Sequence, residues 1–120
     1  MKRDSIIFDL DGTLWNASET VVRAFNDSIQ AIGFDINLTS QTVRDFSGMK
    51  MDDIFTQYFS FVPKGKLKEF ETIYAEKESQ YLQQFGGELF PKVKETLGKL
   101  VGNYQLFIVS NCMKGYIENF

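Results

Sequence analysis

The chain contains two short apolar runs separated by segments with helical periodicity. The run Ser5–Leu10 is rich in β-branched and aromatic residues and stops at Asp11-Gly12-Thr13. This pattern predicts a buried strand that enters a turn. The second run, Tyr104–Val109, is nearly uninterrupted in its apolar part. It predicts a strand covered on both faces, as in a parallel sheet.

Apolar residues at spacings of three and four predict helices between the two strands. We expect four of them over 19–32, 41–46, 51–59 and 64–85. A hydroxyl side chain such as Thr39 would cap the second helix, and Gly86-Gly87 would end the fourth. A fifth helix would begin at Pro91 and run to Val101, and a further one would begin near Lys114.

Charge patterning predicts that the longest helix has a solvated face. The basic cluster Lys64–Lys68 is balanced by acidic residues further along the helix. These acidic residues are Glu69, Glu71, Glu76 and Glu78. A helix face with charges of both signs is typical of solvent exposure, so we expect these side chains to lie in water.

Composition excludes several kinds of protein and of site. The 120 residues include 13 Lys and Arg against 16 Asp and Glu, with no basic stripe, which argues against a nucleic-acid partner. No apolar run reaches the roughly 20 residues that a membrane helix needs, and no leader-like stretch is present, so we expect a cytoplasmic protein without a membrane partner. With no histidine and one cysteine, the chain lacks His-based nucleophile sites and His-ligated or Cys-rich metal sites. Chemistry must then rest on carboxylates, hydroxyls, amines and a hard cation.

Two carboxylates follow the first strand directly. Asp9 and Asp11 are two residues apart, so on extended backbone they share one face, at the strand end where α/β sheets place their ligands. One carboxylate could attack while the other handles the proton, and a divalent cation could offset their charge. The alternative is an acidic turn after a core strand, with Asp11-Gly12 as ordinary turn residues.

These residues carry a resemblance to a known family. The segment Ile6–Leu14 resembles the first motif of the haloacid-dehalogenase (HAD) superfamily, and Phe107–Asn111 resembles its second motif. Between them, Leu89–Leu100 is similar to the helix that precedes the second motif. The helical block lies where the phosphoglycolate-phosphatase-like branch inserts a small helical cap. The resemblance spans essentially the whole chain in motif order and spacing.

The resemblance implies an α/β fold with two parts. Residues 1–15 and 87–120 would form a partial HAD-type Rossmannoid core with parallel strands, and residues 16–86 an inserted α-helical cap domain. It also implies a Mg²⁺-dependent phosphatase that hydrolyses a small phosphate monoester through an aspartyl-phosphate intermediate. The partner would be a small phosphorylated metabolite.

The resemblance also implies roles for individual residues. Asp9 would be the nucleophile and a Mg²⁺ ligand. Asp11 would be the general acid and then the base, and its carbonyl would contact the metal. Thr13 would brace the turn that holds both.

Phosphate binding would fall to residues at both strand ends. The resemblance implies that Ser110 donates a hydrogen bond to a phosphate oxygen, with help from the backbone N–H of Asn111 and those near Gly12. Ser110-Asn111 by itself is also a common boundary between a strand and a loop.

The cap loop would approach the substrate. In the family, the loop that corresponds to Gly48, Met49 and Lys50 points into the active site. Lys50 could contact substrate, although an exposed lysine at the start of a helix is the simpler interpretation.

Two other activities of the superfamily fit this sequence less well. Dehalogenases lack the second aspartate of the first motif, which is present here as Asp11. The sugar-phosphate mutases of this branch place a histidine soon after the first motif, and this chain has none. Of these three activities, hydrolysis of a phosphate monoester is the one that fits the sequence.

The family's later motifs, a lysine and further acidic metal ligands, have no counterpart before Phe120. We therefore expect a truncated phosphatase with little activity of its own. Its core strands would have exposed apolar faces and unpaired edges, which favours self-association. The alternative is a non-catalytic remnant of the fold that acts as a binding or assembly module.

Overall fold

The computed structural model describes residues 4–120 and combines helices with two small sheets. The α-helices are α1 (Ser18–Ala31), α2 (Ser40–Asp45), α3 (Met51–Tyr58), α4 (Lys64–Phe85) and α5 (Val93–Leu100). The strands are β1 (Ser5–Phe8), β2 (Trp15–Asn16), β3 (Glu88–Leu89) and β4 (Gln105–Ile108). The α/β fold class predicted from sequence is confirmed, and each predicted helix up to residue 101 has an observed counterpart. No helix in this range is long and apolar enough to cross a membrane.

The two predicted strands pair in parallel. Ser5 lies opposite Gln105 and Phe8 opposite Ile108, and the backbone N–H of Val109 donates to the carbonyl of Phe8 at 3.0 Å. The parallel arrangement brings the carboxyl ends of β1 and β4 to the same edge of the sheet.

Only one face of this strand pair is covered. Phe8 and Ile108 are half-buried against the main core, whereas Ile7 and Phe107 on the other face are 67% and 49% exposed. The expectation that the second strand is covered on both faces is therefore wrong for the described residues. Side chains alternate across a strand, and the core of this structure packs against one side.

The structure contains a second, antiparallel pair of strands that the sequence pattern did not predict. Trp15 pairs with Leu89 and Asn16 with Glu88, where the chain enters the helical block and where it returns. Strands of two residues are too short to show alternation of polar and apolar positions, so the sequence pattern gave no signal for them.

The helical block is built around aromatic side chains. α1 packs along α4, and the ring of Phe25 stacks on that of Tyr74 with centroids 4.0 Å apart. Phe59 and Phe70 complete the buried cluster. Large aromatic rings bury much apolar area each, so this cluster is the main stabilising feature of the block.

Helix ends agree with the sequence pattern at several points. α4 spans Lys64–Phe85 as predicted and ends at Gly86, which has a φ of 65°. The hydroxyl of Thr39 accepts a hydrogen bond from the backbone N–H of Thr42 and so caps α2, as expected.

Three expectations are corrected. α5 begins at Val93, not Pro91, because residues 91 and 92 form a turn in which Lys92 has a φ of 64°. The predicted helix from Lys114 is reduced to a short 3₁₀ turn, Ile117–Asn119. Glu78 is 7% exposed, so it does not belong to the solvated face assigned to it.

Candidate active site

The two predicted motifs lie at one edge of the sheet. Asp9 directly follows β1, and Ser110 follows β4 with one residue between. Since β1 and β4 are parallel and paired in register, the loops after both strands leave the sheet side by side. This is the position at which open α/β sheets bind ligands.

A tight turn follows β1 and fixes the geometry of the first motif. The carbonyl of Leu10 accepts hydrogen bonds from the amides of Thr13 and Leu14, at 3.1 and 2.9 Å. Gly12 has a φ of 77°, which a residue with a Cβ would adopt only with strain. Its N–H donates to the carbonyl of Trp15 at 3.0 Å, so this amide is already engaged within the turn.

Asp9 faces solvent at the strand end. The hydroxyl of Thr13 donates to its Oδ2 at 3.3 Å. The side chain of Asp9 is exposed, so its second oxygen remains accessible to a substrate or an ion.

The carboxyl group of Asp11 accepts two hydrogen bonds, one from a residue four positions away in the sequence and one from a residue 105 positions away. Trp15 Nε1 donates to its Oδ1 at 3.0 Å, and the hydroxyl of Tyr116 donates to the same oxygen at 2.6 Å. Burial raises the pKa of Asp11, and the nearby charge of Asp9 adds to the increase, while the two hydrogen bonds lower it. The net pKa is raised, which favours the protonated form that a general acid needs.

Trp15 is fixed in turn by its surroundings. It is 3% exposed, and the rings of Tyr116 and Phe120 meet it edge to face, with centroids 6.0 and 5.5 Å away. A Cβ at Gly87 would lie 2.5 Å from Trp15 Cε3, so the indole ring packs directly on the backbone there.

A cavity of about 180 Å³ lies beside Asp11, between the strand ends and the helical block. Five residues singled out from sequence line it: Asp11, Gly12, Gly48, Met49 and Asn111. Asp9, Thr13 and Ser110 lie at the strand edge outside this lining, and so does Lys50, which is exposed at the start of α3.

One hydrogen bond joins the helical block to the second motif. Asn111 Nδ2 donates to the carbonyl of Gly48 at 2.7 Å, and Gly48 has a φ of 85°. The loop predicted to approach the substrate therefore contacts the loop after β4 directly.

Three site residues were missed by sequence reasoning. Tyr116 contacts Asp11 across 105 positions of sequence, which no local pattern could indicate. Glu78 and Tyr74 also line the cavity, and the Tyr74 hydroxyl donates to Glu78 Oε2. Their signal was the four-residue spacing of Phe70, Tyr74, Glu78 and Leu82 along one buried face of α4.

Glu78 is an unusual carboxyl group. Burial raises its pKa from 4.5 to about 7; the hydrogen bond from Tyr74 opposes this increase and the charge of Asp11 adds to it. At neutral pH a substantial fraction of Glu78 is therefore protonated.

Oxygen ligands for a hard cation are present but few. Within residues 4–120 no cluster of three or more His, Cys, Asp or Glu side chains is arranged to hold a metal ion. The accessible carboxylate of Asp9 and the carbonyl of Asp11, which accepts no hydrogen bond from the described backbone, suit Mg²⁺ in donor type.

Comparison with known proteins identifies the family. The family model of haloacid dehalogenase-like hydrolases matches residues 6–120. The chain therefore belongs to the haloacid dehalogenase-like hydrolases. A search of curated proteins gave no match.

Solved structures show the same fold. A haloacid dehalogenase-like family hydrolase from Streptococcus pneumoniae is 27% identical, with a TM-score of 0.71 over 88% of this chain and 48% of its own. A predicted phosphoglycolate phosphatase from Haemophilus somnus is 23% identical, with a TM-score of 0.76 over 100% of this chain and 61% of its own. CbbY from Rhodobacter sphaeroides, in complex with xylulose-(1,5)bisphosphate, is 18% identical, with a TM-score of 0.75 over 98% of this chain and 55% of its own. The chain thus spans about half the length of the structures it matches.

Proposed function

We propose that this chain carries the nucleophile and the phosphate-binding loops of a Mg²⁺-dependent phosphatase acting on a small phosphate monoester. The observation that supports the proposal most strongly is the meeting of Asp9, Asp11 and Ser110-Asn111 at the carboxyl ends of two paired parallel strands. Membership in the hydrolase family agrees with it.

In the proposed mechanism, an oxygen of Asp9 attacks phosphorus and the bond to the leaving alcohol oxygen breaks. Asp11 gives its proton to that oxygen, and its raised pKa keeps the proton available. Asp11, now a carboxylate, takes a proton from the water that attacks the aspartyl-phosphate. Inorganic phosphate leaves, and Asp9 is regenerated.

Free backbone amides support phosphate binding in this arrangement. The N–H groups of Asp11 and Asn111 donate to no carbonyl of the described backbone, whereas the N–H of Gly12 is engaged by Trp15. We therefore assign the phosphate oxygens to the amides of Asp11 and Asn111 and to the hydroxyl of Ser110. Gly12 contributes through the shape of the turn. Fixed donors at the site of developing charge are what phosphoryl transfer requires.

Mg²⁺ would be held by the carboxylate of Asp9 and the carbonyl of Asp11, with waters completing the shell. When bound, it would neutralise phosphate charge and orient the phosphoryl group. Since residues 4–120 contain no cluster of three or more acidic side chains arranged to hold a metal ion, we expect the 120-residue chain to turn over phosphate esters slowly.

The domain division expected from sequence fits the same proposal. Residues 16–86 would act as the cap and residues 1–15 and 87–120 as part of the core, joined where β2 and β3 pair. The small cavity and the sugar bisphosphate bound by CbbY support a small phosphorylated metabolite as the substrate.

Formation of an acyl-phosphate mimic tests the proposal independently of turnover. Beryllofluoride binds an aspartate nucleophile as a phosphate analogue, and ¹⁹F NMR detects the complex. With Mg²⁺ we expect bound-fluoride signals for the unmodified protein and for Asp35→Asn, an exposed control. Asp9→Asn should give none.

Absence of bound fluoride in the unmodified protein would contradict the nucleophile assignment and favour a non-catalytic binding module. Rapid, Mg²⁺-dependent hydrolysis of p-nitrophenyl phosphate by the 120-residue chain would support the phosphatase and overturn the expectation of slow turnover.

A further inference from the structure

The cavity beside Asp11 contains a second carboxyl group with an unused oxygen. Glu78 is 7% exposed and projects from α4, and its Oε2 accepts the hydroxyl of Tyr74. Its Oε1 has no hydrogen-bond partner among residues 4–120. In that same range no fully buried side-chain oxygen or nitrogen lacks a partner. Oε1 is therefore not completely enclosed by protein atoms, and Glu78 lines the cavity.

Two carboxyl groups line this cavity, and the cationic side chain among its described lining residues bonds elsewhere. Asp11 and Glu78 both line it, and the charge of Asp11 raises the pKa of Glu78. Among the described lining residues the cationic side chain is Arg44, which is exposed and donates to Gln41 Oε1 at 2.8 Å and Ser18 Oγ at 3.4 Å. Burying a carboxylate costs free energy unless an opposite charge or donor compensates it, so a cationic ligand group would relieve that cost.

The walls of the cavity suit an organic cation on a short apolar chain. The aromatic side chains of Phe25, Phe46 and Tyr74 line it, and aromatic rings attract ammonium groups. An apolar cavity of about 150 Å³ accommodates benzene, so about 180 Å³ holds a leaving group of comparable size.

Glu78 also borders a second cavity, which Lys114 lines. A cationic ligand would be repelled by the lysine there, so the cavity shared with Asp11 is the favoured position for a positive group.

We propose that Glu78 determines substrate specificity by binding the amino group of the leaving alcohol, so that the substrate is the phosphate ester of a short amino alcohol. This inference rests on the proposed phosphatase function. The phosphoryl group lies at the strand ends beside Asp9 and Asn111, and the ammonium group lies against Glu78 Oε1 on the helical side of the cavity. Glu78 on α4 would then select the substrate, while the residues at the strand ends carry out the reaction.

Binding of three matched probes tests the proposal: inorganic phosphate, ethyl phosphate and O-phosphoethanolamine, with Mg²⁺ present, by isothermal titration calorimetry. The two esters differ in the amino group. We expect the unmodified protein to bind O-phosphoethanolamine about tenfold more tightly than ethyl phosphate, as one charge-assisted hydrogen bond implies.

Three variants distinguish a direct contact between Glu78 and the ammonium group from a long-range effect of negative charge. Glu78→Gln should remove the preference, so that O-phosphoethanolamine and ethyl phosphate bind about equally tightly. Glu78→Asp keeps the charge but shortens the side chain, and should reduce the preference. Glu76→Gln removes an exposed charge from the same helix and should preserve it.

Equal binding of both esters by the unmodified protein would overturn the role of Glu78 and leave the phosphatase proposal standing. A loss of preference in Glu76→Gln equal to that in Glu78→Gln would also overturn it, because only long-range charge would then be involved. Failure of all three probes to bind would overturn the proposed function and this inference together.

Discussion

Two carboxyl groups in the candidate site, Asp11 and Glu78, bind protons more tightly than carboxyls in water. Burial is the largest cause in both. They differ in their hydrogen bonds: Asp11 is held by Trp15 and Tyr116, whereas Glu78 accepts one bond from Tyr74. The geometry suits Asp11 for proton transfer and leaves Glu78 an oxygen for binding.

The raised pKa of Glu78 makes stability depend on pH. Its folded-state pKa of about 7 lies above the 4.5 of an ordinary glutamate, so between these values the folded chain holds a proton that the unfolded chain releases. The free energy of unfolding therefore falls as the pH rises from about 4.5 to about 7, by ~3 kcal/mol, and stays reduced above pH 7. The titratable groups around it are the carboxyl of Asp11, the hydroxyls of Tyr74 and Tyr116, and the thiol of Cys112.

Glu78→Gln should remove most of this loss, because the amide carries no charge. We expect the variant to be more stable than the unmodified chain at about pH 8 and similar to it near pH 5. Urea denaturation across this range measures the difference. Glu76→Gln should leave the pH dependence unchanged, and an identical pH slope in Glu78→Gln would show that Glu78 is not the titrating group.

At the scale of elements, the end of α4 positions the site. The chain leaves α4 at Gly86, and the next residue, Gly87, packs against the Trp15 ring before β3 pairs with β2. The hydroxyl of Thr20 donates to the carbonyl of Gly86 at 2.7 Å, which ties this connection to α1. The helical block thus helps to hold Trp15, and through it Asp11.

Gly87→Ala should displace the Trp15 ring, since the added Cβ would lie 2.5 Å from Cε3. We expect a loss of about 1–3 kcal/mol in the free energy of unfolding, as for overpacked sites. Trp15 is the single tryptophan of the chain, so its fluorescence emission should also change.

Gly98→Ala is the matched control for this prediction. Gly98 lies within α5, and a Cβ there would meet nothing within 4 Å, so the substitution should stabilise the chain by about 0.5–1 kcal/mol. Unchanged stability and emission in Gly87→Ala would mean that the backbone moves freely away from the indole.

At the scale of the whole molecule, the uncovered face of the β1–β4 pair is the main departure from a closed fold. Ile7, Phe107 and Val109 are 67%, 49% and 63% exposed there. In a two-stranded parallel sheet both outer edges also lack partners within the described residues. Exposed apolar surface beside open strand edges favours association with another chain.

We therefore expect the 120-residue chain to self-associate through this face. Light scattering should show a mass that increases with concentration, and the double variant Ile7→Thr/Phe107→Thr should reduce the association. Val101→Thr alters a similarly exposed side chain outside the strand pair and should leave the association unchanged. A monomer at all concentrations would contradict this expectation.

Local patterns in the sequence were sufficient for most elements of the fold. Periods of two and 3.6 depend on neighbouring residues, so β1, β4 and helices such as α4 could be placed with small errors at their ends. The same patterns failed for β2 and β3, which have two residues each, and for Lys114–Phe120, which forms only a 3₁₀ turn.

The sequence by itself determined the α/β class, the family resemblance and the two carboxylates at a strand end, because these depend on residues close together in the chain. The tertiary structure decided what surrounds this strand end: Tyr116 bonds Asp11, Asn111 bonds the Gly48 loop, and buried Glu78 lines the same cavity as Asp11. These contacts join positions far apart in sequence, and packing alone determines which side chains lose water and shift their pKa.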